Sequence, residues 1–182
     1  MATLTISGGA KLEATLRELA KKVAKKATLR VGFLEGAPYP DGTPVAMVAA
    51  IQEYGAPKVG IPPRPFFRTM VEKEKGGWGD ALGKNLLSTD FDSVKALGLM
   101  GDEIQGQLVE SIIQLDEPAL SQVTLMLRQM FPKNKTYEKT GKDVGIAAAR
   151  VAAGELATGE STKPLVWTGH LLASVSHEVD EE

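Results

Sequence analysis

Two histidines, His170 and His177, and a scatter of carboxylates are the side chains of this sequence suited to proton or metal chemistry. Such chemistry needs convergence, and the spacing does not supply it. A helical zinc site asks for two histidines four apart on one face; these lie seven apart, across a turn and a strand. His177 shares the alternation of Val175 and Val179, which marks a packing or hydrogen-bonding residue on a strand face. His170 follows Thr168-Gly169 and serves the turn there. Glu72 and Glu74 belong to a solvated helix, and Asp116-Glu117 reads as a helix start. There is no G-x-S-x-G elbow, no Walker phosphate loop and no G-x-G-x-x-G. Cysteine is absent, so no disulfide, thiolate nucleophile or thiolate zinc site exists. The expectation is a protein that is not an enzyme, with no catalytic residue, metal or cofactor.

The densest chemistry sits in Ile61-Pro62-Pro63-Arg64-Pro65-Phe66-Phe67-Arg68. Three prolines in four residues hold the backbone extended, since each ring fixes φ and disfavours helix in the residue before it. Pro65 suits a first helical turn, where its missing N–H has no partner to lose. The segment is a stiff arm delivering two aromatic rings and two cations to one place, which suits an assembly contact more than catalysis. Glu53 and Tyr54 stand just before Gly55. Two readings of the arginines stay open: a local carboxylate–guanidinium clamp with Glu53, or a cation facing a neighbouring subunit or a DNA phosphate. Arg64 and Arg68 share a helix face if Arg64 joins the first turn. The candidate contact residues are therefore Pro62, Pro63, Arg64, Pro65, Phe66, Phe67 and Arg68, with Glu53 and Tyr54.

Bulk properties bound the rest. The chain has 182 residues with an apolar fraction of 43% and a charged fraction of 24%, enough for one domain over 1–182 with a core. The net charge of −2 argues against a broad nucleic-acid-binding face. No run of about 18 apolar residues offers a membrane span, and the N-terminus lacks the order of a secretion signal.

These residues are carried by elements that periodicity predicts. Lys11–Lys26 reads as an amphipathic helix with Leu12, Leu16, Leu19, Ala20 and Val23 on one face. Lys21, Lys22, Lys25 and Lys26 crowd its end; they suit the helix dipole or contact a phosphate or acidic partner. Thr28–Leu34 alternates as a half-buried strand, and a final strand carrying Val175, His177 and Val179 is placed to pair with it antiparallel. Gly36–Thr43 is a loop, and Val45–Tyr54 a helix stopped by Gly55. Pro65–Lys75 is helical, with Gly76, Gly77 and Gly79 breaking it before Asp80–Leu87 resumes. Ser88, Thr89 or Asp90 caps the next helix. Asp92–Leu115 is the long central helix; Gly98, Gly101 and Gly106 inside it point to a close backbone crossing. Glu117-Pro118 opens a helix to about Met130, and Lys133–Lys142 is a polar, basic, disordered loop. Asp143–Ala157 is alanine-rich and helix-compatible, and Gly159–Lys163 is again loop. The fold class is α+β: a small antiparallel sheet packed against several helices, one of them long and central.

Four segments occur in a meaningful order: Val31-Gly32-Phe33, Ala49–Pro57, Ile61–Arg68 and Lys163–Val175. In that order they resemble the tailed-bacteriophage virion morphogenesis family of neck and tail-completion proteins. Pro118–Arg128 also resembles the family's middle segment. Between Arg128 and Ser161 the chain departs from the family, and residues 132–162 look like a flexible insertion.

The resemblance implies a structural virion protein of the head–tail junction, a small α+β subunit in a ring of six copies. Its implied partners are copies of itself, the portal or head-closure protein on one side and the tail tube protein on the other. The resemblance also implies a lumen open to the passage of genomic DNA, and no membrane partner. The implied location is the phage neck or tail, with assembly in the host cytoplasm. A tail terminator capping the tube is the near alternative. From other classes come a DNA-binding module using the lysines at 21–26 and 133–142, and a small hydrolase using His170 or His177.

Overall fold

A computed structural model describes residues 9–24, 26–36, 38–131, 140–158 and 162–181. The fold is α+β. Seven α-helices and one two-stranded antiparallel sheet occur among the described residues, in the order α1 (Gly9–Val23), β1 (Ala27–Gly32), α2 (Val45–Tyr54), α3 (Phe66–Ser88), α4 (Ser93–Gln114), α5 (Gln122–Met130), α6 (Gly141–Ala152), α7 (His170–Ala173) and β2 (Ser176–Glu181). A short 3₁₀ turn, Pro57–Val59, lies between α2 and α3. The chain divides into two compact units. The first is built from Met1–Gly32, Val71–Gln107 and Ser176–Glu182, the second from Phe33–Met70 and Leu108–Val175. Helices α3 and α4 each contribute to both.

In the first unit β1 and β2 pair antiparallel, as their alternation predicts, with Leu29 opposite Val179 and Val31 opposite His177. Arg30 lies opposite Glu178, pairs with it at 3.3 Å, and also binds Asp180. Opposite charges facing each other across two strands reinforce this register. Ala96 and Met100 of α4 are buried here. Gly101 is buried too, and what covers it is a side chain and not a crossing backbone: a β-carbon there would fall 2.6 Å from Cγ of His177. Nothing lies within 4 Å of the same position at Gly98 or Gly106. Of the three glycines, only Gly101 makes room for a neighbour.

Helix α1 is amphipathic but buries none of its residues; Leu12, Leu16 and Val23 are exposed. Its end carries Lys22, bound to Asp90 in the loop after α3.

Helix α3 runs unbroken through Gly76, Gly77 and Gly79, where the sequence predicts an interruption. Each glycine costs about 1 kcal/mol against alanine. Fixed points before and among them offset that cost: Phe66 and Met70 are buried at the helix start, and Trp78, between Gly77 and Gly79, donates from Nε1 to Gln107 Oε1 of α4 at 2.9 Å. Because α3 extends to Ser88, none of Ser88, Thr89 or Asp90 caps α4; Asp92 does, its Oδ1 accepting from the Lys95 amide at 3.2 Å.

The second unit holds most of the buried apolar side chains, among them Val45, Phe66, Leu108, Ile112, Met126 and Leu171. Phe33 meets Phe66 edge-on, with ring centroids 6.1 Å apart. Helix α5 begins at Gln122 and not at Pro118, because the Ser121 hydroxyl accepts from the Thr124 amide and sets the start there. Helix α6 begins within the stretch read as loop: Asp143 accepts from the amide and hydroxyl of Thr140, both at 2.7 Å. The remainder of the expected basic loop, 133–139, and residues 159–161 of the following one lie outside the described residues.

Candidate functional site

The arm leaves α2 through a locked turn. Gly55 has a φ of 74°. A β-carbon there would meet the Pro63 nitrogen at 2.8 Å and the Ile61 carbonyl at 2.9 Å, so only glycine fits. Ala56 and Ile61 then exchange two backbone hydrogen bonds of 2.8 and 3.1 Å, closing the loop between them. Gly60, left-handed at φ 74°, completes the 3₁₀ turn at its tip.

Beyond the loop the arm enters the second unit's interior. Pro62 and Pro63 are exposed and Pro65 is half-buried. Phe66 is 1% exposed and is a core residue of its own unit, while Phe67 is half-buried. The rings are thus divided between core and surface.

Of the two readings of the arginines, Glu53 and Arg68 form the clamp, and its form is specific. Glu53 is 5% exposed and caps the start of α3: Oε2 accepts from the Phe67 amide at 2.9 Å, and Oε1 from the Arg68 amide at 3.2 Å and Arg68 Nε at 2.7 Å. Arg68 Nη2 reaches the Glu53 carbonyl at 3.1 Å. A carboxylate at a helix N-terminus satisfies orphan amides and meets the positive end of the dipole. Arg68 also lies 5.1 Å over the ring of exposed Tyr54.

Arg64 is not part of that clamp. The α-helix starts at Phe66, so Arg64 stands outside it. It is 5% exposed and donates to Gln52 Oε1 at 3.1 Å and the Pro118 carbonyl at 3.2 Å. Its Nε has no partner among the described residues. Burial lowers its affinity for the proton. Arg64 ties the arm to α2 and to the segment before α5, as an internal brace.

A second arrangement in this unit carries no sequence signal. A cleft of about 470 Å³ is lined by Val48, Leu165, Leu171 and Trp167, with Asp41 and Arg128 among its polar groups. One wall is set by Arg128, whose guanidinium donates to the carbonyls of Lys163 and Pro164 at 2.9 and 3.0 Å and lies 4.7 Å from the centre of the Trp167 ring. Another is set by Tyr39, whose ring lies 4.5 Å from that of His170. His170 Nε2 is 3.1 Å from the Pro38 carbonyl, and the Thr168 hydroxyl accepts from the His170 amide at 3.3 Å. Burial, and then the nearby Asp41 charge, push the Tyr39 phenol above its ordinary range. The Thr43 amide and hydroxyl hold the Asp41 carboxyl below the usual carboxylate range. The pairing of Arg128 with Trp167 is tertiary, between segments far apart in the sequence, so no local pattern marks it.

His177 lies in the first unit, with Nδ1 2.8 Å from Gln105 Oε1 and 3.9 Å from Asp102. Each histidine thus has its own structural partners. Among the described residues no group of three or more His, Asp or Glu is placed to hold a metal ion, and no helix is long and apolar enough to cross a membrane. No family model, curated protein or solved structure matches the chain.

Proposed function

We propose that this chain is a structural subunit of the head–tail junction of a tailed bacteriophage, working by packing against copies of itself in a ring. The observation that carries the reading is a contrast within the molecule. Its two buried polar side chains at the arm are used internally, Glu53 as a helix cap and Arg64 as a brace. Its apolar side chains on α1 and around Tyr54 and Val59 stand in solvent. A subunit whose chemistry is spent on holding a rigid arm, and whose greasy surface is left open, suits assembly. The order of the four family-like segments supports the same reading. A net charge of −2 suits a ring through which DNA passes, since strong basicity would retain the genome.

In this ring the contacts fall to the exposed parts of the arm region: Tyr54, the 56–61 loop, Pro62, Pro63 and Arg68. Phe66 and Arg64 hold the arm's shape from within. Native mass spectrometry of the purified chain tests the reading. A closed oligomer, six copies in the arrangement favoured here, is expected; a chain that stays monomeric at every concentration reached would contradict it.

A further inference from the structure

The second unit carries both a peg and a hole. The peg is the loop from Ala56 to Ile61, closed by its two backbone bonds and hemmed in at Gly55 by the backbone of Ile61 and Pro63. At its tip stand Lys58 and Val59, and Val59 is 72% exposed. Lys58 makes no ion pair among the described residues. The hole is the cleft beside Trp167, whose apolar floor is Val48, Leu165 and Leu171. Both of its walls are fixed before anything binds, one by Arg128 against Trp167 and the other by Tyr39 against His170. Its volume, about 470 Å³, lies within the range of pockets that bury a ligand of several side chains. Exposed Asp41 lines the cleft and brings a carboxylate to it.

We infer that the cleft receives the Lys58–Val59 loop tip of a second copy of this chain, with Val59 on the apolar floor and Lys58 against Asp41. The match is of charge and polarity: one cation and one apolar tip on the peg, one anion and apolar lining in the hole. Peg and hole are different patches of the same unit. In the ring proposed above each peg fills the hole of the next copy, a head-to-tail contact of the kind that generates rings when the rotation closes. Both parts are pre-organised, so little conformational freedom is lost on docking.

This inference rests on the self-assembling reading above. The test uses the full chain, with Val59→Asp, Lys58→Glu and Asp41→Lys variants followed by sedimentation. Lys58 and Val59 are exposed, so circular dichroism and melting of their variants should match the parent chain; Asp41→Lys also gives up the Thr43 amide bond to Asp41, so it is compared with the double variant, which lacks the same bond. Val59→Asp is expected to weaken self-association roughly tenfold or more. Lys58→Glu and Asp41→Lys should each weaken it, and the double variant carrying both should regain it. Association that is unchanged in Val59→Asp overturns the peg-and-hole contact while leaving ring formation standing. Association lost in both charge variants but not regained in the double variant overturns the Lys58–Asp41 pairing. A parent chain that never associates overturns the contact and the ring together.

Discussion

The imidazole of His177 on β2 rests on the bare backbone of Gly101 in α4, where a β-carbon would come 2.6 Å from its Cγ. The same ring is held by Gln105 Oε1 at 2.8 Å from Nδ1. A strand and a helix of the first unit are thereby locked at one ring. Gly101→Ala must push this ring out of place, and an overpacked site of this kind costs about 1–3 kcal/mol. Gly106→Ala meets open space in the same helix and should stabilise by about 0.5–1 kcal/mol. Thermal or urea unfolding of the two variants should move in opposite directions.

Part of this was legible and part was not, for physical reasons. Strand pairing is written in period-two alternation, which β1 keeps in its burial while β2, paired with it in register, does not. The glycines in α4 signal a close approach, but which of them and to what depends on β2, far away in sequence. The three glycines in α3 read as a break because local propensity opposes helix there; buried Phe66 and Met70, and the bond from Trp78 to Gln107, override it. That extension moves the loop after α3 and hands the α4 cap to Asp92. At the arm, proline stiffness and a glutamate–arginine clamp could be read from spacing. That Arg68, not Arg64, takes Glu53 required knowing where α3 begins. The Arg128–Trp167 wall and its cleft join segments nearly forty residues apart and left no local trace.

Glu53 should matter more than its partner Arg68. Its buried carboxylate serves two backbone amides at the start of α3 as well as the guanidinium. Glu53→Ala leaves those amides short of an acceptor and should cost about 1–3 kcal/mol. The Arg68 side chain is 56% exposed, and Arg68→Ala should cost no more than about 1 kcal/mol. Equal losses of stability in the two variants would show that the ion pair, and not the cap, is the useful part.

Gly55→Ala should be among the most damaging single changes in the arm region. The residue is at φ 74°, and an added β-carbon meets backbone atoms of Ile61 and Pro63 that cannot swing aside. The expected loss is about 1–3 kcal/mol or more. Gly36, also at positive φ but with no atom within 4 Å of a built β-carbon, should tolerate alanine better. Unfolding midpoints of the pair separate strain alone from strain with collision.

Asp143 gives the start of α6 a pH dependence of known sign. Hydrogen bonds from the Thr140 hydroxyl and amide hold its carboxyl below the usual carboxylate range. Its contribution is fully present above the unfolded carboxylate value of about 3.9 and is lost as pH falls through the lower folded value. The Thr140 amide resonance should therefore titrate below the ordinary range in the parent chain. In Asp143→Asn that titration should vanish. A Thr140 shift that follows the unfolded carboxylate value would remove the cap from consideration.

The sharpest measurement is electron microscopy of intact virions from a phage carrying this chain, with density for the protein sought at the collar between capsid and tail. A ring of copies there, with α1 and the 56–61 loops turned toward neighbouring copies, is the predicted result. Virions whose junction is complete and contains no copy of the chain would contradict the assembly role outright.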